Sequence, residues 1–159
     1  MDISSEVVDR IADAPLSAHV ATSVDDRPHV APVWYVFEAS EPERETTESA
    51  VRGESPALYV LTGGKKLENV RANPRVAVSI ERADGPDVDW SVQLLGTARE
   101  VEDDERISDV QERMDEIYRG ESESSETDGG ESEEGDDGEE EMEWACLEIR
   151  VGSASYQQY

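Results

Sequence analysis

The apolar residues of the chain fall into short runs separated by polar turns, which is typical of a β-rich domain. Two runs, at residues 16–24 and 29–38, flank Asp25-Asp26-Arg27-Pro28, and a turn sequence between two such runs predicts a β-hairpin. Further strands are predicted at residues 57–62, 75–81, about 88–101 and about 144–151, which gives six strands in total.

Two of the predicted strands are apolar on both faces. In residues 29–38, Val30 and Trp34 share one parity while Val33 lies on the other, and residues 57–62 show the same two-sided pattern. A strand with one solvated face alternates apolar and polar residues. We therefore expect a barrel core against one face of each strand and a partner molecule or ligand against the other.

Three segments, at residues 4–13, 65–72 and 103–119, have apolar residues at the three-to-four spacing of amphipathic helices. Ser4 or Ser5 can cap the first of them. A hairpin comes first, a small helix follows the third strand, and a longer helix precedes the last strand. This order predicts a mainly β fold, a small closed antiparallel barrel of six strands with two or three short helices.

The chain is very acidic: 40 acidic residues stand against 14 basic ones, and the formal net charge is −26. Residues 120–143 hold 13 of the acids and no base in a Gly- and Ser-rich tract, which is interpreted as a disordered acidic insert. Residues 1–119 and 144–159 would then form one domain, and this domain is acidic too. In molar salt, where the Debye length is about 3 Å, such a surface stays hydrated without strong self-repulsion. The composition therefore predicts a halophilic protein.

Composition also excludes several classes of function. The chain has no basic stripe for nucleic acid and no long apolar run or leader, so a cytoplasmic protein outside the membrane is expected. Its one cysteine, Cys146, cannot form an intrachain disulfide and is interpreted as a buried thiol. His19 and His29 do not supply zinc-binding spacing, so no metal site is predicted, and both are interpreted as half-buried strand residues.

The only two lysines of the chain are adjacent. Lys65 and Lys66 directly follow Thr62-Gly63-Gly64, where a predicted strand turns into a helix. The free N–H groups and the positive dipole end of a helix start bind anions, and glycines let the backbone approach a phosphate closely. The lysines belong either to a phosphate-binding loop or to an ordinary exposed turn, and the residue types alone leave both interpretations open.

Three longer segments carry a resemblance to a known family. In chain order they are HVATSVDDRPHVAPVWYVF, LYVLTGGKKLENVRANPRVAVSI and WSVQLLGTAREV, and together they resemble the pyridoxamine 5′-phosphate oxidase-like superfamily. The most specific parts are Asp26-Arg27-Pro28 leading into Ala31-Pro32-Val33-Trp34, and Lys66 placed eight residues before Pro74. The resemblance covers about residues 7–119 and the last strand. It implies a split β-barrel that binds FMN or, in some branches, the deazaflavin F420.

The resemblance also implies where the cofactor binds. Members of the superfamily are homodimers with one flavin at each of two interface sites. The backbone of the second strand lines the isoalloxazine ring, the loop with the two lysines holds the phosphate, and the fifth strand reaches the ring across the interface. The residues implied here are Pro32, Val33 and Trp34 for the ring, Thr62, Gly63, Lys65 and Lys66 for the phosphate end, and Ser91 or Gln93 for the contact across the interface.

Some features depart from the true pyridoxamine phosphate oxidases. The second strand lacks their Arg and Lys, the chain ends in SASYQQY without their Arg/His segment, and the loop from Thr62 to Lys66 is about two residues shorter. The vitamin B6 reaction is therefore not expected. An FMN-dependent oxidoreductase is the first interpretation, with an F420-dependent reductase or a non-catalytic flavin or haem carrier as alternatives. No residue stands out as a catalytic acid or base.

Overall fold

The structure, a computed structural model, describes residues 4–39, 56–119 and 144–159. The predicted acidic insert at residues 120–143 lies outside the described residues. The assignment of residues 1–119 and 144–159 to one domain stays a prediction.

Three helices and seven strands form in the described ranges. The helices are α1 (Ser5–Ile11), α2 (Gly64–Ala72) and α3 (Asp104–Arg119). The strands are β1 (Ala18–Val24), β2 (Arg27–Val33), β3 (Val36–Glu38), β4 (Ala57–Gly63), β5 (Arg75–Asp84), β6 (Asp87–Glu100) and β7 (Trp144–Gln158).

All seven strands belong to one antiparallel sheet with the order β2-β1-β5-β6-β7-β4-β3. The mainly β split-barrel architecture expected from the sequence is confirmed. The strand number differs, because the predicted second strand is broken at Trp34-Tyr35 into β2 and β3. These two strands form opposite edges of the sheet and do not pair with each other. The prediction of a closed barrel is therefore wrong.

The predicted hairpin is present. The pairing of β1 with β2 brings Val24 opposite Arg27, and the two turn residues Asp25 and Asp26 have φ angles of 53° and 64°. Left-handed backbone at both central residues is the geometry of the tight turns that match the twist of a hairpin, and aspartate tolerates it better than most residues.

The inner face of the sheet forms the main core. Alternate residues of β5 and β6 point into it as the sequence pattern predicts, and Trp90 is one of them with only 4% of its surface exposed. Helix α1 contributes Val7 and Ile11 to the same core. Its start matches the expected cap, because the Ser4 hydroxyl accepts a hydrogen bond from the Val7 N–H at 3.3 Å.

The outer face of β4 is covered by α3. Tyr59 and Cys146 pack there against Val110 and Met114 of the helix, which makes a second, smaller core. The two-sided apolar pattern of this strand therefore reflects a helix of the same chain. Strand β2 behaves differently, because its side chains are exposed or half-buried, and Val30 keeps 61% of its surface exposed.

The break between β2 and β3, residues Trp34-Tyr35, is called the seam below. Tyr35 is buried, and its hydroxyl donates to the Ile11 carbonyl at 2.7 Å. Its N–H donates to the Tyr118 hydroxyl at 3.2 Å, and that hydroxyl donates to the Leu16 carbonyl at 2.6 Å. The Trp34 ring stacks on the Tyr118 ring, with centroids 4.5 Å apart and planes within 5°. Helix α3 is thereby fixed to the seam.

We predict that Tyr118→Phe destabilises the protein. Phenylalanine keeps the stacked ring but removes the acceptor for the Tyr35 N–H and the donor to the Leu16 carbonyl. Leaving partly buried polar groups without partners costs about 1–3 kcal/mol, and urea unfolding at constant high KCl measures the loss. Tyr156→Phe is the matched control, because the Tyr156 hydroxyl is buried without a partner among the described residues. Equal stability of the Tyr118→Phe variant and the native protein would contradict this role.

Candidate cofactor-binding site

A cavity of about 640 Å³ lies where the ends of β2 and β4 and the start of β7 approach helices α2 and α3. Its volume is within the range of about 300–1,000 Å³ that is usual for small-molecule sites. The lining residues are Pro32, Val33, Trp34, Leu61, Thr62, Gly63, Lys66, Gln111, Met114, Asp115, Arg119 and Trp144.

Six of the residues singled out from the sequence line this one cavity. They come from two distant segments, the end of β2 with the seam and the junction of β4 with α2. They are Pro32, Val33, Trp34, Thr62, Gly63 and Lys66. The strand order explains why the two segments meet. β2 is one edge of the sheet, β4 is next to the other edge strand, β3, and the seam connects β2 directly to β3.

The start of α2 has the backbone features of an anion-binding loop. Thr62 and Gly63 are buried, Gly63 is the N-cap, and no side chain of the described residues caps the first turn. The first turn also has no acidic residue. Gly64 has a φ of 67°, a left-handed conformation that glycine adopts without strain. The N–H groups of the first turn therefore have no side-chain acceptor among the described residues. No acidic side chain of that turn compensates the positive end of the helix dipole.

Lys66 contributes a positive charge to the lining of this cavity. It is half-buried, and among the described residues no carboxylate pairs with it. The other charged lining residues, Asp115 and Arg119, lie one helical turn apart and pair with each other at 3.8 Å. The charge of Lys66 is therefore available for an anionic ligand.

The wall contributed by α3 and β7 was not predicted from the sequence. Arg119 places its guanidinium 5.8 Å from the centre of the Trp34 ring, within the range of a cation–π contact. Trp144 also lines the cavity and is 64% exposed. The helical spacing of 103–119 predicts the helix, but nothing local in the sequence indicates that its last residue turns toward the second strand.

Lys65 is separated from Lys66 in the structure. Its side chain is 64% exposed and approaches Glu68 at 4.0 Å. It lines a different cavity, together with Arg27 and His29 at the end of the first hairpin. The two lysines that the sequence grouped into one phosphate site thus lie on two neighbouring cavities.

Ser91 and Gln93 do not line either of these cavities within one chain. Both lie on the outer face of β6, where Gln93 is exposed and the Ser91 hydroxyl is 3.5 Å from the Tyr159 hydroxyl. Their contact with the ring was expected from a second subunit, so this assignment stays a prediction.

The buried Glu148 carboxylate is the centre of a charged cluster whose two arginines are exposed. The Glu148 carboxylate accepts hydrogen bonds from the Tyr59 hydroxyl at 3.1 Å, from Arg99 at 2.8 Å and from Arg150 at 2.9 Å. Burial and the nearby Glu148 charge raise the pKa of Tyr59 well above its usual value. We interpret the cluster as structural, since Glu148 is satisfied and Tyr59 stays protonated.

The histidines and the possible metal ligands show no second kind of site in the described residues. His29 is half-buried as predicted, but His19 is exposed, because it lies on the outer face of β1, where the sheet leaves it uncovered. Within the described ranges, no group of three or more His, Cys, Asp or Glu side chains is arranged to hold a metal ion. No helix in those ranges is both long and apolar enough to cross a bilayer.

Together, the antiparallel sheet that is open at its seam and the cavity beside that seam define the protein as a split-barrel protein. The family follows from the sequence. The model of the pyridoxamine 5′-phosphate oxidase family matches residues 4–154, so the chain belongs to this family. A search of curated proteins finds no match.

Several solved structures share the fold at low sequence identity. An FAD-binding protein from Mesorhizobium loti has a TM-score of 0.63 at 17% identity, covering 98% of this chain and 93% of its own. An F420 reductase has a TM-score of 0.56 at 20% identity, covering 92% and 94%. The FAD-binding protein from Mycobacterium smegmatis has a TM-score of 0.55 at 17% identity, covering 99% and 97%. Identities this low establish the common fold alone.

Cys146 is buried beneath α3, and burial raises the pKa of its thiol to about 11. We predict that the thiolate absorbance of the folded protein rises near pH 11, whereas the unfolded chain titrates near the ordinary value of about 8.5. Because the folded pKa is the higher one, this group opposes folding only as the pH rises above the unfolded value. Subtracting the titration of Cys146→Ser isolates the signal from tyrosine. Ionisation of the folded thiol at or below pH 8.5 would refute inert burial.

Proposed function

We propose that the protein binds a flavin, with FMN as the minimal ligand, and works as a flavin-dependent oxidoreductase. The observation that carries the proposal is that one cavity brings together the end of β2, the start of α2 and Lys66, which has no ion-pair partner among the described residues. Family membership supports the same conclusion. We also propose a cytoplasmic, halophilic protein on the basis of its charge, so the experiments below use molar KCl.

The residues present fit such a ligand. The uncapped start of α2 and Lys66 would hold the phosphate, with Thr62 and Gly63 at the strand end beside it. The ring would lie along Pro32, Val33 and Trp34, where the cavity wall is largely apolar. Both ends of the ligand thus meet groups of matching chemistry.

A bound flavin supplies the hydride chemistry, and the protein supplies binding, orientation and shielding from water. The seam and the α3 side chains Met114 and Arg119 close the cavity opposite β4. Asp115 is the only carboxylate among the lining residues and is paired with Arg119, so no residue is assigned as a catalytic acid or base. The size and shape of the space that remains beside the ring would determine which substrates fit.

A homodimer is part of the proposal, because one row of residues on the outer face of the sheet is apolar and has exposed ends. Residues directly opposite each other in antiparallel strands share a face. One row across four strands therefore places Val30, Ala21, Ala77 and Leu95 side by side. The row also crosses from β2 to β6, and both of its ends are more than half exposed, Val30 at 61% and Leu95 at 58%.

The next row on the same face connects this surface to the cavity. It runs from Pro32 through His19 and Ser79 to Gln93. A second copy that covers the apolar row would cover Gln93 as well, and its own β6 would then approach β2. This supports the expectation that Ser91 or Gln93 contacts the cofactor of the other subunit.

An F420-dependent reductase is the second candidate, favoured by the similarity of the fold to an F420 reductase. A carrier without catalysis would use the same cavity. The absorption spectrum of the purified protein distinguishes flavin, deazaflavin and haem. Faster reoxidation of the reduced cofactor by a substrate panel than by oxygen alone distinguishes an enzyme from a carrier.

We predict that Lys66→Gln weakens FMN binding about 10- to 100-fold, the loss expected for one charge-assisted hydrogen bond. Riboflavin has no phosphate, so its affinity should not change. Isothermal titration calorimetry with both ligands measures the two effects. Arg82→Gln is the matched control, because it removes an exposed positive charge from β5, away from the lining residues of the cavity. Equal losses for FMN and riboflavin, or no loss for FMN, would refute the phosphate contact.

We predict that Leu95→Arg converts a dimer into monomers and lowers flavin affinity, because the new charge is placed at an exposed end of the apolar row in the proposed interface. Size-exclusion chromatography with light scattering gives the mass in molar KCl. Ser108→Arg, which places the same charge on the exposed side of α3, should leave the dimer intact. A native protein that is monomeric at micromolar concentration and still binds FMN would overturn the dimeric part of the proposal.

A further inference from the structure

The flavin assigned to the cavity uses only part of its lining. The phosphate end is assigned to Lys66 and the start of α2, and the ring is assigned to the end of β2 and the seam. The lining residues from α3 and from the first position of β7 are left without a ligand group. They are called the α3 wall below and are Gln111, Met114, Asp115, Arg119 and Trp144. A substrate bound beside the flavin would meet this wall.

Two large aromatic side chains of the cavity are exposed. Trp144 keeps 64% of its surface exposed and Trp34 keeps 42%. The other large apolar side chains that are exposed in the described ranges are Val30 and Leu95, which lie in the row assigned to the dimer, and Tyr159, the last residue. Apolar surface that stays exposed and concentrated at one place marks a binding site. Because both indoles line the same cavity, we interpret them as surfaces for a ligand.

The shape of these surfaces favours a flat ligand. The Trp34 ring is held in one orientation, because it stacks on Tyr118 with centroids 4.5 Å apart, and the Tyr118 hydroxyl donates to the Leu16 carbonyl at 2.6 Å. Aromatic rings gain energy from offset-stacked and edge-to-face contacts with other rings, which a bulky aliphatic group does not offer. Met114 adds a thioether to the lining, and sulfur also makes favourable contacts with aromatic rings.

The charges of the α3 wall favour a ligand without a charge of its own. Asp115 and Arg119 pair at 3.8 Å, and the Arg119 guanidinium also lies 5.8 Å from the centre of the Trp34 ring. With Lys66 assigned to the phosphate, no unpaired cation is left among the described lining residues. An anionic substrate would therefore meet Asp115 without a free cation to bind it. The exposed Gln111 amide can donate and accept hydrogen bonds, which suits a neutral polar substituent.

We propose that the α3 wall is the substrate-binding part of the cavity and that it takes a planar, uncharged aromatic compound. The compound lies beside the flavin ring and against the Trp144 indole, and Trp34 completes the aromatic lining. Gln111 binds a polar substituent of the compound. This inference rests on the proposed function and adds the class of substrate to it.

Three matched compounds, titrated into the FMN-loaded protein in molar KCl, test the inference. Naphthalene-2-carboxamide is planar and uncharged, naphthalene-2-carboxylate is planar and charged, and decahydronaphthalene-2-carboxamide is uncharged but not planar. Isothermal titration calorimetry should show saturable binding of the first compound, about 10-fold tighter than binding of the other two. The absorption spectrum should show that FMN stays bound throughout.

Trp144→Leu separates stacking from general apolar contact, because leucine keeps an apolar side chain but removes the flat ring. This variant should weaken the binding of naphthalene-2-carboxamide about 10-fold. It should change the binding of the saturated carboxamide and of FMN less than twofold. Trp144→Phe is the matched control, since it keeps a flat ring and should retain the preference for the planar compound. Circular dichroism confirms that both variants are folded, and light scattering confirms that their mass is that of the native protein.

Each contrary result has a separate meaning. Absence of saturable binding, equal affinities for the planar and the saturated carboxamide, or equal losses for both in Trp144→Leu would overturn the aromatic site and leave flavin binding intact. Tighter binding of the carboxylate would overturn the assignment of an uncharged substrate. Release of FMN by naphthalene-2-carboxamide, or loss of the dimer in Trp144→Leu, would assign the indoles to the cofactor or to the subunit contact and overturn the inference. Failure of FMN itself to bind would overturn the proposed function.

Discussion

The two-residue seam between β2 and β3 is the constraint on which the rest of the structure depends. These strands form the opposite edges of a seven-stranded sheet, and the three Cα–Cα steps from Val33 to Val36 reach only about 11 Å. The sheet must therefore curl until its edges are neighbours, although no ladder joins them. Tyr35 fixes the curl from inside, because its buried hydroxyl and its N–H both have partners outside the sheet.

The cavity exists because the seam leaves a gap that strands cannot fill. At this point the ends of β2 and β4 diverge, and α3 covers the opening instead of a strand. Two interactions hold α3 there: Tyr118 binds the seam, and Glu38 at the end of β3 accepts hydrogen bonds from Arg106 at 3.3 Å and Arg113 at 2.9 Å. The shape of the site is therefore determined by how the helix docks on the broken strand.

Side-chain periodicity predicted the elements wherever burial determines structure. The strand predicted at about residues 88–101 is observed as β6, and the turn at Asp25-Asp26 is observed as expected. The break after Val33 was missed, because Trp34 and Tyr35 favour strands and only distant partners such as Tyr118 end the ladder there. The extension of β7 to Gln158 was missed for a related reason. Its last residues are polar, and they are held by backbone pairing with β6, which leaves no apolar pattern in the sequence.

The site, too, was predicted only where local residue patterns determine it. Residue types and a family resemblance identified the start of α2, but side chains of successive helical residues diverge by about 100°, so the adjacent lysines could not both line one cavity. Arg119 and Trp144 stand on either side of residues 120–143 in the sequence, and no local pattern assigns them to this wall.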